Sequence, residues 1–353
     1  MPRVAIEAGQ AAFAERARPW LKTTDQQFFD SPEALRALGA ALFGASPEAV
    51  ALVPAASYGL AVAANNLTLE AGQEIVLLDG QFPSNVYPWR RLAAETGASI
   101  RTVARQPGRS WTEALIAAIG PATGLLACGA IHWIDGGRID LSAVSAALKA
   151  QGAALVLDLT QSLGVQPFDV ADCDPDFAVA AAYKWLLCPY TTGFLYLAPR
   201  RIEGRPLEEN WINRAGSENF AGLIDYKDGY APGARRYDSG ERSNHQLVPA
   251  ARASLEFLGR IGAEAIADRL AGLNAKIADE LAGLGFSDDV PDRAGHYLSL
   301  SLPDGAPGDL AARLRGRGVH VSQRGPRLRI SPHVYTNEDD IERLVAAVRA
   351  ELS

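Results

Sequence analysis

Two residues of opposite charge end or follow apolar runs and could carry out chemistry together. Asp158 ends the run ALVLD, and Lys184 follows the run FAVAAAY, 26 positions further along. A carboxylate placed against a pyridine nitrogen keeps that nitrogen protonated, so that the ring accepts electrons. A lysine amine binds an aldehyde-bearing cofactor as an imine when burial and neighbouring charges lower its pKa. The pair therefore indicates a pyridine cofactor attached to Lys184.

Taken one at a time, a surface lysine and a helix-capping aspartate are the more common uses of these residue types. The segments that contain them, DLTQSLG and AAYKW, resemble class V, fold-type I enzymes that depend on pyridoxal 5′-phosphate (PLP). This superfamily includes kynureninases, cysteine desulfurases and isopenicillin-N-epimerase-like proteins, and the resemblance extends from about Pro19 to the C-terminus. It implies a Schiff base on Lys184 and a contact from Asp158 to the ring nitrogen. It also implies that Gln161 contacts the ring oxygen and that Tyr183 hydrogen-bonds the phosphate.

Two aromatic residues upstream are expected to hold the cofactor ring. The segment DGQFPSNVYPW resembles the ring-stacking segment of the family and places Phe82 where desulfurases carry a histidine and kynureninases a phenylalanine. An aromatic face supplies contact area and orientation. The segment IHWIDGG resembles a strand end beside the cofactor and places Trp133 near the hydroxyl edge of the ring. Outside these contexts, a core position is the simpler interpretation of Phe82.

The phosphate requires hydrogen-bond donors, and the segment PAASYGLAVAANNL offers them. Ser57 and Tyr58 follow a strand-like run and can open a helix, where a hydroxyl and free backbone N–H groups receive an anion. A plain helix cap uses the same geometry, so the two interpretations coexist. Further along, Trp211 and the pair Ser243 and Asn244 resemble positions that related enzymes use near the phosphate. In the family this last segment comes from the partner subunit, so the resemblance implies a homodimer with shared active sites.

A substrate carboxylate requires a cation, and the run RGPRLR contains three arginines. Such a run is more often a solvated face or an anion site. Within RLRISPHVYTNEDDIERL, the family resemblance assigns the substrate-binding role to Arg329. A guanidinium binds an α-carboxylate through two parallel hydrogen bonds, which fixes the bond at Cα that is presented to the cofactor. A strand arginine in a surface ion pair is the alternative.

The reaction is not defined by PLP alone, because the protein determines which bond at Cα is broken. Cysteine persulfide chemistry is disfavoured, because the segment GRGVHVSQRGP lacks the cysteine that desulfurases carry before the arginine. We interpret the sequence as a class V aminotransferase-like enzyme acting on an unidentified amino acid. Kynureninase-like or other C–C and C–S lysis, β-elimination, epimerisation and a non-catalytic PLP-fold binding protein are the alternatives. A nucleotide-binding protein is disfavoured, because no GxGxxG or GxxxxGK[ST] motif follows a strand.

Short apolar runs alternate with helical patterns through the first part of the chain. The strand candidates are AVALVPA, EIVLLDG, ASIRTVA, GLLACGAIHW, AALVLDLT, FAVAAAY and TGFLYLAP. Helical stretches such as SPEALRALGAALFG and DLSAVSAALKAQG lie between them. This alternation predicts an α/β fold with a mostly parallel sheet flanked by helices and a ligand at the carboxyl ends of the strands. The resemblance specifies the fold-type I PLP-dependent transferase.

The regular alternation of strand and helix patterns stops between Arg201 and Ser243. The sequence there is polar and glycine-rich, which predicts a long functional or interfacial loop. Helical periodicity resumes in LVPAARASLEFLGRIGAEAIADRLAGLNAKIADELAGLG. Two strand candidates, YLSLSLP and RLRISP, and a last helix, EDDIERLVAAVRAEL, follow. Residues 1–244 are expected to form the large PLP-binding domain, with the N-terminal helix packing on the small domain. Residues 245–353 are expected to form this smaller α+β domain.

Composition limits the function further. The net charge of −7 argues against a general nucleic-acid partner. Cys128, Cys173 and Cys188 lack CxxC spacing and are expected to be buried, inert thiols, and the five histidines form no metal-binding motif. Neither a basic leader followed by an apolar run nor an 18-residue apolar run is found in the sequence. We therefore expect a reduced, cytoplasmic, soluble protein without a metal or a membrane partner.

The chain opens with MPRVAIEAGQAAFAERARPW. Class V relatives commonly begin with a segment resembling Asn-x-Ala…Gly-Pro-x-Pro, which passes near the substrate. The Asn-x-Ala part has no counterpart here, so either the native start is short or Met1 is an internal methionine. In both cases the sequence predicts poor substrate affinity with PLP binding retained.

Overall fold

Seven strands form the central sheet of the computed structural model, which describes residues 1–352. In chain order the strands are β1 Val50–Val53, β2 Glu74–Leu78, β3 Ser99–Val103, β4 Thr123–Cys128, β5 Ala154–Asp158, β6 Phe177–Ala181 and β7 Gly193–Leu197. Their order across the sheet is β1-β7-β6-β5-β4-β2-β3. β7 alone runs against the other six, since it pairs antiparallel with both β1 and β6. Each of the seven runs predicted from the sequence overlaps one of these strands, and only β4 begins outside its run, one residue earlier at Thr123.

The strands are apolar on both faces, as a sheet covered by helices requires. Val50 and Leu52 of β1 face one apolar cluster, whereas Ala51 and Val53 face the other. The helices are α1 Arg3–Glu15, α2 Ser31–Leu42, α3 Ala56–Asn65, α4 Tyr87–Thr96, α5 Trp111–Ala118, α6 Leu141–Lys149, α7 Val170–Cys173, α8 Leu247–Ile261, α9 Ala263–Ala282, α10 Leu310–Gly316 and α11 Glu338–Leu352. Helices α2, α5 and α6 cover one face of the sheet, and α3 and α4 cover the other.

A second, antiparallel sheet lies in the C-terminal part of the chain. It consists of β8 Leu298–Ser301, β9 Ser322–Arg324 and β10 Arg327–Ile330, in the order β8-β10-β9. Helix α9 contacts β8, α10 contacts β9, and α11 packs against both helices. The central strand β10 buries Leu328 and Ile330 and leaves Arg327 and Arg329 on its other face. This alternation follows the two-residue period of a strand.

Two features of the C-terminal part are not specified by the predicted pattern. The long helical stretch after residue 245 is two helices, because Gly262 at φ 86° ends α8 before α9 begins. The short elements α10 and β9 had no candidate in the sequence. Helix α1 packs along α8, and the division into residues 1–244 and 245–353 stays a prediction. No helix within residues 1–352 is both long enough and apolar enough to span a membrane.

Candidate active site

The carboxyl ends of β4, β5 and β6 and the amino end of α3 surround a cavity of about 210 Å³. Parallel strands place their carboxyl ends at one edge of a sheet, where ligands bind. Asp158 ends β5, and Lys184 follows β6 by three residues, so the sheet brings both side chains to this cavity. The cavity is lined by Ala55, Ala56, Ser57, Gln81, Phe82, Ser84, Gly129, Ile131, Trp133, Asp158, Thr160, Gln161, Ala181, Tyr183, Lys184 and Tyr190.

The Asp158 carboxylate lies deep in the protein and exposes part of its surface to this cavity. Burial raises the pKa of Asp158, whereas hydrogen bonds from Thr160 and the positive charge of Lys184 favour the ionised form. The Thr160 backbone N–H donates to Asp158 Oδ1 at 3.1 Å. A carboxylate has room for further donors beyond this one. Asp158 can therefore accept the N–H of a protonated ring nitrogen.

The Lys184 amine lies against Phe82, with Nζ 5.5 Å from the centroid of the ring. Burial is the largest cause that lowers the pKa of Lys184, and the charges of Arg329 and Arg324 lower it further. The charge of Asp158 acts in the opposite direction. A neutral amine is the form that attacks an aldehyde. The site therefore holds Lys184 closer to its reactive form than a surface lysine would be.

Phe82 and Trp133 form an aromatic corner at the cavity. Their ring centroids are 5.4 Å apart and their planes are inclined by 86°. The Trp133 indole is fixed by a hydrogen bond of 2.6 Å from Nε1 to the carbonyl oxygen of Gly80. Phe82 keeps 38% of its surface exposed, so the structure does not bury it as a core aromatic. Its ring is free to cover one face of a flat ligand.

The Gln161 side chain has a defined orientation. Its Oε1 accepts a hydrogen bond of 3.1 Å from Trp185 Nε1. Because an indole N–H can only donate, the oxygen of the Gln161 amide must face Trp185. The amide NH₂ is therefore available to donate to an oxygen in the cavity, as expected for a contact to the ring oxygen of PLP.

The amino end of α3 forms another wall of the cavity. Ala56 and Ser57 open this helix, and no side chain caps it. The first N–H groups of a helix attract an anion when they have no internal partner. Tyr58 does not line the cavity, since its enclosed hydroxyl lies near the Glu208 carboxylate. Ser57, rather than Tyr58, is placed to receive a phosphate.

Tyr183 lines the cavity and stacks on Tyr190, with ring centroids 4.2 Å apart and planes inclined by 23°. Burial raises the pKa of Tyr183 to about 12, and its neighbour Tyr190 and the charge of Asp158 contribute. The hydroxyl therefore stays protonated near neutral pH. It is able to donate a hydrogen bond, and a bond to the phosphate stays a prediction.

Arg329 extends from β10 towards the same region. Its guanidinium carbon is 5.5 Å from the centroid of Trp133 and 5.2 Å from that of Tyr297. Tyr297 donates a hydrogen bond of 2.5 Å to the Trp133 carbonyl oxygen, which fixes the small sheet against the loop after β4. The buried Nε of Arg329 has no hydrogen-bond partner within residues 1–352, and no carboxylate there pairs with the guanidinium. Arg329 is thus not the surface ion pair that the sequence left as an alternative.

Besides Tyr58, three further predicted cofactor residues lie outside this cavity within a single chain. The Trp211 ring packs edge-on against Phe28, with centroids 5.9 Å apart. Ser243 Oγ donates to the Phe28 carbonyl oxygen at 2.7 Å. Asn244 Oδ1 accepts from Leu247 N at 2.9 Å. Ser243 and Asn244 also line a separate cavity of about 750 Å³ beside α1 and α8. A role for these three residues in PLP binding requires a partner subunit and stays a prediction.

Three residues near the site were not singled out from the sequence. Thr160 Oγ1 accepts from Ala181 N at 3.0 Å and joins the ends of β5 and β6. Tyr190 stacks on Tyr183. Arg324 lies 5.6 Å from the centroid of Trp133. Thr160 belongs to DLTQSLG and Arg324 to RGPRLR, so both stood within recognisable segments, whereas nothing in the sequence pointed to Tyr190.

The sequence matches the family described as aminotransferase class-V from residue 5 to residue 344. The chain belongs to the class-V aminotransferase family. Isopenicillin N epimerase of Streptomyces clavuligerus is 29% identical, over 88% of this chain and 82% of its own. Kynureninase of Salinispora tropica is 27% identical, over 99% of this chain and 83% of its own. These relatives carry out different reactions, so family membership does not define the reaction.

A solved structure of the cystine C–S lyase C-DES, in complex with its reaction product cysteine persulfide, has the same fold. The TM-score is 0.89 and the identity 19%, over 99% of this chain and 94% of the other. At this identity the match shows the fold alone. It confirms the fold-type I α/β architecture that the sequence predicts.

Class-V aminotransferases depend on PLP, and the residues at the cavity fit this cofactor. Asp158 can accept from the ring nitrogen, and Gln161 has an amide NH₂ to donate to the ring oxygen. Lys184 has a lowered pKa, and the uncapped amino end of α3 at Ser57 suits a phosphate. The predicted cofactor is therefore confirmed at the level of the family, while each residue's contact with it stays a prediction.

The cysteines of this class-V chain do not take part in the site. Cys128, Cys173 and Cys188 are free and buried. Burial raises the pKa of Cys173 and of Cys188 to about 12, so neither forms a thiolate at neutral pH. The residues that line the cavity do not include any of the three.

Proposed function

We propose that this class-V enzyme acts at the Cα of a free α-amino acid, with PLP attached to Lys184 and the α-carboxylate bound by Arg329. The observation that carries the proposal is the unpaired guanidinium of Arg329 beside Trp133. It lies close enough to Lys184 to lower the pKa of the amine. When bound, PLP supplies an electron-withdrawing ring that stabilises negative charge at Cα.

Each residue has a separate task in this proposal. Arg329 holds the carboxylate by two parallel hydrogen bonds and so orients the bonds at Cα. Lys184 Nζ would carry a proton from or to Cα once the substrate amine has replaced it on the cofactor, and its lowered pKa makes the neutral, proton-accepting form easier to reach than in a surface lysine. Asp158 would hold a proton on the ring nitrogen of bound PLP, and Phe82, which lines the same cavity, would exclude water from the ring. Proton transfer at Cα is the first step shared by transamination, epimerisation and β-elimination.

Aminotransfer is the reaction type that we propose first, with epimerisation and lysis as the competing outcomes. A persulfide mechanism lacks support, since Cys128, Cys173 and Cys188 are buried with raised pKa values. A PLP-binding protein without activity would not require a free carboxylate receptor beside its lysine. The unpaired state of Arg329 therefore favours an enzyme.

We also propose a homodimer in which Trp211, Ser243 and Asn244 complete the partner's cavity. The support is that these residues resemble phosphate-site positions of the family but lie outside the cavity of their own chain. A boundary between a large and a small domain near residue 244 belongs to the same proposal. A cytoplasmic location is supported by the three cysteines, which are unpaired within residues 1–352.

Hydrogen exchange at Cα tests the proposed function. The PLP-loaded enzyme is incubated in D₂O with pooled L-amino acids, and loss of Cα–H signals is followed by ¹H NMR while products are identified by mass spectrometry. We expect at least one amino acid to exchange, and the product to distinguish transamination from epimerisation and lysis. Lys184→Ala is the matched control and should abolish exchange. A loaded parent enzyme that exchanges and converts none of the amino acids would overturn the proposal.

A further inference from the structure

Three arginines share one face of the small sheet. In the β9–β10 pairing, Arg324 lies opposite Arg327, and Ser322 lies opposite Arg329. Residues directly opposite one another project to the same face, and so do residues two apart along a strand. Arg324, Arg327 and Arg329 are therefore neighbours on a single face. Like charges placed this way destabilise a sheet unless other groups compensate them.

Only one of the three arginines is compensated by the protein. Arg327 pairs with Asp289 at 2.8 Å and donates to Ser299 Oγ at 3.1 Å and to Ser301 Oγ at 2.9 Å. Arg324 and Arg329 pair with no carboxylate in the part of the chain that the structure describes. Arg324 Nη1 donates to the carbonyl oxygen of its neighbour along the chain at 2.9 Å. Two positive charges on this face are left for an external anion.

The two uncompensated guanidinium groups converge on the active site. Their central carbons lie 5.6 Å (Arg324) and 5.5 Å (Arg329) from the centroid of Trp133. Both therefore contact the same indole, which borders the cavity of Lys184. The more buried of the two, Arg329, is assigned to the α-carboxylate. Arg324 is the more exposed of the two and lies nearer to solvent.

We propose that Arg324 binds a second carboxylate, on the side chain of the substrate, and that the substrates of this enzyme are dicarboxylic α-amino acids. This inference rests on the proposed function, because it assumes that Arg329 holds the α-carboxylate. An exposed arginine stacked on an indole is common without any ligand. The contrast with Arg327 decides against that interpretation, since the protein supplies an acid for Arg327 and none for Arg324.

Binding of matched acid and amide pairs tests the inference. The absorbance of the PLP-loaded enzyme is titrated with L-glutamate, L-glutamine, L-aspartate and L-asparagine, and each titration gives a Kd. We expect at least one acid to bind roughly tenfold to a hundredfold more tightly than its amide, as for a charge-assisted hydrogen-bonded pair. This preference should shrink as salt is added, because Arg324 is exposed.

Arg324→Gln should reduce the acid-to-amide ratio towards one, with the Kd of the acid changing far more than the Kd of the amide. Arg315→Gln is the charge-matched control, since Arg315 lies on the outer surface beside Arg324 and its loss should keep the ratio. Equal binding of acid and amide by the parent enzyme overturns the inference. So does an Arg324→Gln variant that weakens both ligands equally, which would place Arg324 on the α-carboxylate. If no amino acid changes the absorbance or exchanges its Cα–H, the proposed function itself fails.

Discussion

The charge on the Lys184 amine depends on a small number of neighbours. Burial lowers its pKa most, the charges of Arg329 and Arg324 lower it further, and the charge of Asp158 raises it. The protonated amine cannot attack an aldehyde, so the pH at which PLP attaches reports the balance of these effects. The same arginines that suit a substrate carboxylate thus also prepare the lysine for its cofactor.

Arg329→Gln should move the pH midpoint of PLP attachment to the apoenzyme upward. Loss of a positive neighbour stabilises the protonated amine, so the pKa of Lys184 rises and attachment requires higher pH. Asp158→Asn should move the midpoint downward, because a negative neighbour is lost. Attachment is trapped with borohydride across a pH series and quantified by peptide mass, with Arg315→Gln as the control. Midpoints that stay in place in both variants would contradict the electrostatic account.

At the scale of elements, residues that flank the small sheet contact the loop that carries Lys184. The Trp185 ring lies between His296, at 4.8 Å and 83°, and His333, at 5.7 Å and 27°. His333 Nε2 hydrogen-bonds the Trp185 carbonyl oxygen at 3.0 Å, and His296 Nε2 hydrogen-bonds that of Gln161 at 2.7 Å. Burial lowers the pKa of His296 to about 4, so this histidine is neutral at pH 7 and contributes no charge.

Trp185→Phe should disturb the cofactor while the fold is preserved. Phenylalanine keeps an aromatic ring between the histidines but cannot donate to Gln161 Oε1, so the amide is free to rotate. We expect a shifted absorbance band of bound PLP and a weakening of PLP affinity by roughly twofold to tenfold, the effect of one hydrogen bond. The double variant with Gln161→Ala should be no worse than Gln161→Ala alone. Additive losses would show that Trp185 does not act through Gln161.

The loop between β6 and β7 contains a strained residue. Thr191 has φ 61°, a conformation that is an outlier for a β-branched residue. Thr191→Gly should raise the free energy of unfolding by about 1 kcal/mol, because relief of roughly 1–3 kcal/mol of strain exceeds the added entropy of the unfolded chain. Thr192→Gly, at the next position and without a positive φ, should lower it by about 1 kcal/mol. Denaturant titration of both variants measures the change, and destabilisation of equal size would contradict the strain.

The large sheet was predictable because its strands are short apolar runs separated by helices, a pattern that depends on local sequence. The break at Gly262 was missed, since both flanking helices have apolar positions at helical spacing and the glycine interrupts them only once. Residues on predicted strand ends, such as Asp158 and Lys184, were brought together as expected. The position of Arg324 at the site was not predicted, because its proximity to Trp133 depends on the register of the β9–β10 hairpin. The sequence pattern does not specify that register.

At the scale of the whole molecule, the loop segment that leads to Ser243 is held in place by the buried side chain of Asp238. The Asp238 side chain is fully buried, pairs with Arg36 at 2.6 Å and accepts from Leu52 N at 2.7 Å. An ion pair enclosed in this way holds its geometry only when further hydrogen bonds satisfy both groups. Here Arg36 also donates to the Val50 carbonyl oxygen at 2.7 Å, so the segment is fixed to β1. Ser243 itself is buried, whereas the next residue, Asn244, is exposed and is thus held in a defined position at the surface.

Heterodimers of two inactive variants should recover activity. One subunit carries Lys184→Ala and an intact loop, and the other carries Ser243→Ala with Asn244→Ala and an intact lysine. If the loop completes the partner's cavity, each heterodimer contains one complete site and should show about half the activity of the parent enzyme per dimer, since one site of two is intact.

Heterodimers are isolated through two different affinity tags, and sedimentation velocity verifies the dimer. Both homodimers serve as controls, because the loop variants also lose hydrogen bonds within their own chain. Heterodimers no more active than the homodimers, or a parent enzyme that sediments as a monomer, would place the loop outside the active site.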